Sequence, residues 1–316
     1  MTTTIFIDGA AGTTGLEIRE RLSGRPELRL AVISEARRKD PAARAETLNA
    51  ADVVILCLPD DAAREAVMLI ANPNVRVIDA STAHRVSEDW VFGFPELEPG
   101  RRDELRHAMR VSNPGCYPTG FLALVRPLTR AGLLPPDWPV TCNAVSGYSG
   151  GGRAMIAEFE DAKAANYTET VVRSYALGLE HKHVDEMRIH AGLTHRPVFA
   201  PTVGRFYRGM LVEVPLQLWA LPGKPGVTEI HEALSEAYDD EPLIEVASLS
   251  EAEAKKTLDA EELKNTNRLK LYVFGNEARH QARLVAVLDN LGKGAAGACV
   301  QNLNVMMGWP ETAGLV

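Results

Sequence analysis

Short apolar runs at residues 3–7, 28–34, 52–58 and 76–79 alternate with helix-like stretches at 16–22 and 61–70. No other feature constrains the fold as much, because strands joined by crossover helices line up in parallel. The rhythm predicts an α/β fold with a Rossmann-like parallel sheet and crossover helices over residues 1–113. The first strand-to-helix turn reads Gly9-Ala-Ala-Gly12-Thr13-Thr14-Gly15. Glycines at such intervals let backbone approach a pyrophosphate at a helix N-terminus. The spacing is G-x-x-G-x-x-G where G-x-G-x-x-G is commoner, and an ordinary glycine-rich turn is the plain alternative. Ser34 ends the second run and is followed by Glu35-Ala-Arg37-Arg38-Lys39. Arg37 and Arg38 point to the 2′-phosphate of NADP. Glu35 leaves NAD open, since an acidic residue here binds ribose hydroxyls, and a solvated basic loop is the third reading.

Beyond residue 113 the pattern changes to longer strands at 140–145, 211–218, 269–274 and 283–288, with helices near 153–165 and 228–238. This predicts a second, α+β catalytic domain over 114–293. Residues 248–267 carry only scattered leucines and are expected to be a solvated helix and loop. From Gly292 an apolar helical pattern runs through Val300, Leu303, Met306 and Met307, so residues 294–316 are expected to pack back on the first domain. A chain of 316 residues is long enough for two cores.

No run approaches the ~18 apolar residues that cross a bilayer, and the N-terminus enters a strand without a secretion signal. The expected location is the cytoplasm, with no membrane partner. A net charge of −8 argues against general nucleic-acid binding, which needs clustered cations to replace phosphate counterions. Cys57, Cys116, Cys142 and Cys299 are scattered and form no CxxC pair, so they read as reduced thiols and no metal is expected.

Cys116 lies in Ser112-Asn-Pro-Gly-Cys-Tyr-Pro-Thr-Gly120. Asn113-Pro-Gly cannot continue a strand, Pro118 suits a first helical turn, and Phe121, Leu122, Leu124, Val125 and Leu128 recur at helical spacing. A cysteine at a helix mouth is placed to ionise and attack, whereas a buried structural cysteine is the competing reading. His181-Lys-His183-Val-Asp185-Glu186 supplies proton-handling groups; two histidines and a carboxylate also fit zinc, but no further ligands follow at the usual spacing. Ser146-Gly147-Tyr-Ser-Gly150-Gly151-Gly-Arg153 follows a strand, so its amides suit a nicotinamide, a phosphate or a carboxylate. Arg85, at the end of Asp79-Ala-Ser-Thr-Ala-His-Arg, is a candidate for an anionic substrate group or a surface ion pair.

In this order, GAAGTTG, SNPGCYPTG, SGYSGGGR and KGAAG (293–297) resemble the shorter branch of the N-acetyl-gamma-glutamyl-phosphate reductases, in the aspartate-semialdehyde dehydrogenase superfamily. The resemblance implies a second domain of the glyceraldehyde-phosphate-dehydrogenase-like kind. It implies an arginine-biosynthesis enzyme in which Cys116 attacks N-acetyl-glutamyl 5-phosphate. Phosphate leaves, and NADPH reduces the thioester to the 5-semialdehyde. His181 takes the acid/base position, deprotonating the thiol and returning the proton. Arg85, Asn113, Ser146, Gly147, His183 and Glu186 fall to the substrate, and Gly9, Gly12, Thr13, Thr14, Gly15, Ser34, Arg37, Arg38, Gly150 and Gly151 to the cofactor. Relatives of this kind associate as homodimers or homotetramers. Two departures stand out: Asp185 replaces the family's usual proline, and DASTAHR stands where DLSADFR is common, so local substrate contacts are expected to differ. Reductases of N-acetyl-aminoadipyl or aspartyl phosphate share the same steps, and a non-catalytic NADP sensor is the reading from another class.

Overall fold

The computed structural model describes residues 2–37 and 40–315. It divides into two compact units, Met1–Pro114 with Ala295–Leu315, and Gly115–Gly294.

In the first unit β1 (Thr3–Asp8), β2 (Leu28–Ala31), β3 (Val53–Leu56), β4 (Arg76–Asp79), β5 (Val91–Phe92) and β6 (Arg110–Ser112) form one sheet in the order β2-β1-β3-β4-β6-β5, every pair parallel. Helices α1 (Thr13–Leu22), α2 (Pro41–Ala50), α3 (Asp60–Leu69) and α4 (Arg101–His107) connect the strands. Strand side chains alternate between faces, and both faces are covered, so β3 is apolar throughout. Val53 and Ile55 join Ile5, Ile18, Val300 and Leu303 in one cluster. Val54 and Leu56 join Phe6, Leu48 and Val77 in another. The C-terminal helix, Gly297–Met307, is thus built into the first unit. Arg76 fastens it by donating to the carbonyl of Met306 at 2.5 Å and to those of Leu105 and Ala108 at 3.1 and 2.9 Å. This is the Rossmann-like doubly wound sheet.

The second strand stops at Ala31 instead of reaching Ser34, because its ladder with β1 covers only Leu28 to Ala31 and Val32 turns out to solvent. Helix α2 was not anticipated, since alanines fill much of it and give little amphipathic contrast. Its start is nonetheless written in Asp40, which accepts the Ala42 N–H at 2.9 Å, and in Pro41 at the first helical position. Arg38 and Lys39 lie outside the described residues.

The second unit contains α5 (Cys116–Arg130), β7 (Thr141–Gly147), α6 (Gly152–Glu160), β8 (Val172–Ser174), α7 (Val184–Ala191), β9 (Val198–Gly204), β10 (Met210–Gln217), α8 (Val227–Ala237), β11 (Ile244–Val246), α9 (Leu249–Ala254), β12 (Leu269–Asn276) and β13 (Gln281–Leu288). Its mixed sheet runs β11-β12-β13-β10-β7-β9-β8. Inward side chains of β10, namely Met210, Val212, Val214 and Leu216, are buried, and α5 lies against this face. Gly120 makes the close approach possible: a Cβ there would sit 2.8 Å from Val212 Cγ2. The opposite face, including Asn143, Ala200 and Pro215, is exposed. Residues 248–267 are less solvated than expected. Ala252 and Leu263 are buried in a cluster with Tyr272, Val285 and Val287, and Asn267 is wholly buried. Sparse apolar positions suffice here because the neighbouring strands supply most of the core.

Replacing Gly120 with leucine forces α5 off β10. We expect the urea midpoint to fall by an amount equivalent to about 1–3 kcal/mol of overpacking; an unchanged midpoint would contradict the helix-on-sheet contact.

Candidate active site

Cys116 is the first residue of α5, and Gly115 at the N-cap position offers no side chain to satisfy the helix's leading N–H groups. The positive end of the helix therefore faces the thiol, which is only half-buried. Glu186, on α7 and almost fully buried, accepts the Gly115 N–H at 2.7 Å and so fixes the turn from behind. On the other side Gly294, in a π-helical turn at Gly292–Ala296, lies against the cysteine, and a Cβ there would come within 2.8 Å of Cys116 Cβ. Asp289 holds that turn: its carbonyl accepts the Gly294 N–H at 3.0 Å and its carboxylate accepts Leu291 N–H at 2.8 Å.

Aromatic rings surround the histidines. His181 and His183 meet at 4.7 Å between centroids, Tyr117 stands 6.2 and 5.9 Å from them, and Phe199 lies 5.2 Å from His181. The Tyr175 hydroxyl donates to the Tyr117 hydroxyl at 3.0 Å. Burial raises the Tyr117 phenol well above its usual value, with Tyr175 and the Cys116 thiolate adding to the shift. Burial likewise pushes Tyr175 up to about 12, and the Cys116 charge adds to it. Both phenols therefore stay protonated near the thiol and remain hydrogen-bond donors. His181 Nδ1 accepts the backbone N–H of His183 at 3.1 Å. Among the described residues no metal-holding group of histidine, cysteine and carboxylate forms around this pair.

The other cysteines are in different surroundings. Burial raises Cys142 and Cys299 far above the ordinary thiol range, and raises Cys57 to about 12 with Asp79 and Asp8 adding to it. Cys142, in β7 with the Glu213 carboxylate nearby, is a core residue and no second nucleophile.

Several expected substrate residues turn inward. Arg85 is buried, which removes the surface ion-pair reading; its Nε donates to the Asn113 carbonyl at 2.9 Å and its Nη2 to the Ala80 carbonyl at 3.1 Å. The Asn113 amide donates to the Ala295 carbonyl at 3.0 Å and accepts from Asn302 at 3.0 Å. Ser146 is buried beside Gly147, whose missing side chain admits the Tyr207 carbonyl; a Cβ would lie 2.6 Å from it. His183 is buried at the head of α7. Gly150 and Gly151 are exposed, and a Cβ on Gly151 would meet Met155 at 2.6 Å. The family departures are compensated locally. His84 bonds the buried Asp79 carboxylate at 2.7 Å and stacks on Trp90 at 4.1 Å, while Asp185 pairs with Arg196 at 3.2 Å. Tyr117, Tyr175 and Gly294 escaped the sequence reading, though the first adjoins Cys116 and the last sits inside KGAAG.

The glycine turn of the first unit fits a dinucleotide. Gly9 has a φ of +88°, and a Cβ there would lie 2.3 Å from the Cys57 carbonyl. Gly15 allows α1 to start 2.6 Å from the Gly9 carbonyl by the same measure. Gly12 leaves the α1 N-terminus without a side-chain cap, and Thr13 and Thr14 form its first turn. Ser34, exposed, accepts the Arg37 N–H through its carbonyl at 2.9 Å. Arg37 is bound to Asp40 at 3.2 Å and Glu46 at 3.3 Å.

A parallel dinucleotide-type unit joined to a unit that presents an ionisable cysteine defines a semialdehyde dehydrogenase. Residues 4–106 match the semialdehyde dehydrogenase NAD-binding domain, and 116–290 match the semialdehyde dehydrogenase dimerisation domain. The fold is shared with aspartate semialdehyde dehydrogenase II of Vibrio cholerae, at a TM-score of 0.71 and 16% identity over 97% of this chain and 98% of that one. Aspartate semialdehyde dehydrogenase of Francisella tularensis matches with a TM-score of 0.72 at 13% identity over 97% and 100% of the two chains. N-acetyl-gamma-glutamyl-phosphate reductase of Burkholderia cenocepacia is 54% identical over 98% of this chain and 99% of its own length, and that of Brucella ovis 53% over 96% and 98%. The chain belongs to the N-acetyl-gamma-glutamyl-phosphate reductase family.

In native protein at neutral pH, titration with a chromogenic disulfide is expected to give one fast-reacting thiol, lost in Cys116→Ala, and all four thiols after denaturation. A fast second thiol would contradict the burial of Cys142 and Cys299 and the raised value of the Cys57 thiol.

Proposed function

We propose that this protein reduces N-acetyl-L-glutamyl 5-phosphate to N-acetyl-L-glutamate 5-semialdehyde and inorganic phosphate with NADPH, a step of arginine biosynthesis. The observation that carries the chemistry is Cys116 at the uncapped start of α5, and the near full-length likeness to reductases of that name supports the substrate.

The helix terminus favours the thiolate, the reactive form, by placing partial positive charge and N–H groups beside it. The Cys116 sulfur attacks the acyl carbonyl, a C–S bond forms, and phosphate departs with the electrons of the broken C–O bond. His181, with His183 and Tyr117 packed about its ring at 4.7 and 6.2 Å, takes the thiol proton and returns it as the intermediate breaks down. Arg85 and Asn113 act as positioning residues: they stiffen the Ser112-to-Pro114 strand end that leads into Cys116, as Glu186 does for Gly115. Residues Gly9 to Gly15 would hold the pyrophosphate of NADP, and Arg37 and Arg38 would favour its 2′-phosphate. Bound NADPH supplies the hydride that turns the thioester into an aldehyde.

The exposed sheet face of the second unit carries a cavity of about 590 Å³ lined by Val145, Val172, Leu177, Leu179, Phe199 and Pro201, among others. With Val172 and Leu177 60% and 82% exposed, this face is where a second copy packs, giving a homodimer or a pair of dimers. No helix among the described residues is long and apolar enough to cross a membrane. We place the protein in the cytoplasm.

With semialdehyde, phosphate and NADP, NADPH absorbance is expected to grow in wild type and stay flat in Cys116→Ala, while calorimetry shows NADP binding retained. Turnover in the variant, or faster reduction of aspartyl or aminoadipyl phosphate than of the glutamyl compound, overturns the assignment. Sedimentation is expected to show at least a dimer, and Leu177→Asp to weaken it; a monomeric wild type contradicts the proposed face.

A further inference from the structure

We propose that Asp289 is a positioning residue for Cys116, and that Arg208 and Asn265 hold it in place for that task. This rests on the reductase reading above. Asp289 follows β13 directly and is wholly buried. Its Oδ1 accepts the Leu291 N–H at 2.8 Å and the Gly292 N–H at 3.2 Å, and its Oδ2 accepts the Asn265 N–H at 2.5 Å. Arg208 Nε lies 3.4 Å from the same Oδ2, on a side chain only 12% exposed. Arg208 Nη1 donates in turn to the Asn265 side-chain oxygen at 2.5 Å. Three residues distant in sequence thus close a ring of contacts. Asn265 meets it with a φ of +65°, a left-handed backbone that asparagine adopts more readily than most residues.

The ring fixes a short piece of backbone that stands beside the sulfur. The Asp289 carbonyl accepts the Gly294 N–H at 3.0 Å, and a Cβ on Gly294 would sit 2.8 Å from Cys116 Cβ. On the other face a Cβ on Gly292 would run into the Thr266 carbonyl oxygen, next to Asn265. Residues 289–294 are therefore a wedge between Thr266 and Cys116 with no room to slide. Asn290 pins it further, accepting the Gly209 N–H at 2.8 Å and donating to Ser149 Oγ at 2.9 Å. A buried ion pair adds little stability over apolar side chains of the same size. What this one supplies is a defined place for the wedge, and so for the sulfur.

Attack on a carbonyl needs the reacting atoms about 3–3.5 Å apart and aligned, and a misplacement of about 1 Å costs about 10²-fold in rate. In Asp289→Asn one carboxylate oxygen becomes an NH2 group. Whichever way that amide turns, a donor faces donors: the N–H groups of Leu291 and Gly292 on one side, or Asn265 and Arg208 on the other. The wedge loosens, while the uncapped helix start that favours the Cys116 thiolate is untouched. Aim is lost and ionisation is kept.

The test measures kcat, KM and the rate of Cys116 alkylation by iodoacetamide at neutral pH in wild type, Asp289→Asn, Arg208→Lys, Arg208→Met and Asn265→Gly, well below each thermal midpoint. We expect kcat to fall about 10–10²-fold in Asp289→Asn, with KM within about twofold of wild type and alkylation no slower. Arg208→Lys, which keeps the charge beside Asp289, is expected to retain more kcat than Arg208→Met. A lowered midpoint with wild-type kcat makes Asp289 merely structural and overturns the proposal. So does alkylation that falls in step with kcat, or a lysine variant no better than methionine. If Asp289→Asn does not fold, Asn265→Gly decides alone: the residue is exposed and glycine keeps its left-handed backbone. There kcat is expected to fall about 2–10-fold, the equivalent of one lost hydrogen bond, and an unchanged kcat overturns the role. A folded wild type that is alkylated at Cys116 yet never reduces the acyl phosphate overturns the reductase reading itself, whereas equal turnover in every variant overturns only the part given to Asp289.

Discussion

The second unit depends on a helix that begins at Cys116 with no side-chain cap. A side-chain cap would stabilise α5 by about 1 kcal/mol, yet any cap would occupy the space and the N–H groups that an anion needs. The helix is held instead by what lies further along it. Phe121, Leu122, Leu124, Val125 and Leu128 are all fully buried against the sheet and its neighbours, and each large apolar side chain contributes about 1.5–3 kcal/mol on burial. Packing therefore outweighs the missing cap several times over. Glu186 and Gly294 then determine where the sulfur sits, one by taking the Gly115 N–H and the other by leaving no room beside it.

The parallel sheet is legible because β1, β3 and β4 are apolar runs, and the helix start at Cys116 because Asn-Pro-Gly stops a strand immediately before a helical repeat. What escaped has physical reasons. In β9, Val-Phe-Ala-Pro-Thr-Val-Gly has a proline at Pro201, which argues against a strand until the ladder is seen; its pairing with β7 is parallel and distant in sequence. In α2 the hydrophobic contrast is too weak to register. Arg85 and Asn113 turn inward to backbone carbonyls, and sequence cannot say whether a polar side chain points outward to a ligand or inward to the backbone. The orientation of the His181 ring was equally hidden, since it depends on an amide two residues away.

His84 and Asp185, the two departures read from the sequence, both find partners in the fold. A histidine at position 84 brings a polar ring next to a buried carboxylate, and it answers both needs by bonding Asp79 at one edge while its face covers Trp90. Asp185, in the first turn of α7, sits at the favourable end of that helix and meets Arg196. Each replacement keeps its own surroundings satisfied, so the nucleophile's supports, which involve other residues, are undisturbed.

The first unit is assembled from two stretches of chain with the entire second unit between them. During synthesis the nucleotide-binding sheet emerges early but lacks Val300 and Leu303, which finish one side of its core. That apolar side stays uncovered until residues 295–315 have been made. The interval exposes the nascent protein to aggregation and gives holdase chaperones a surface to shield.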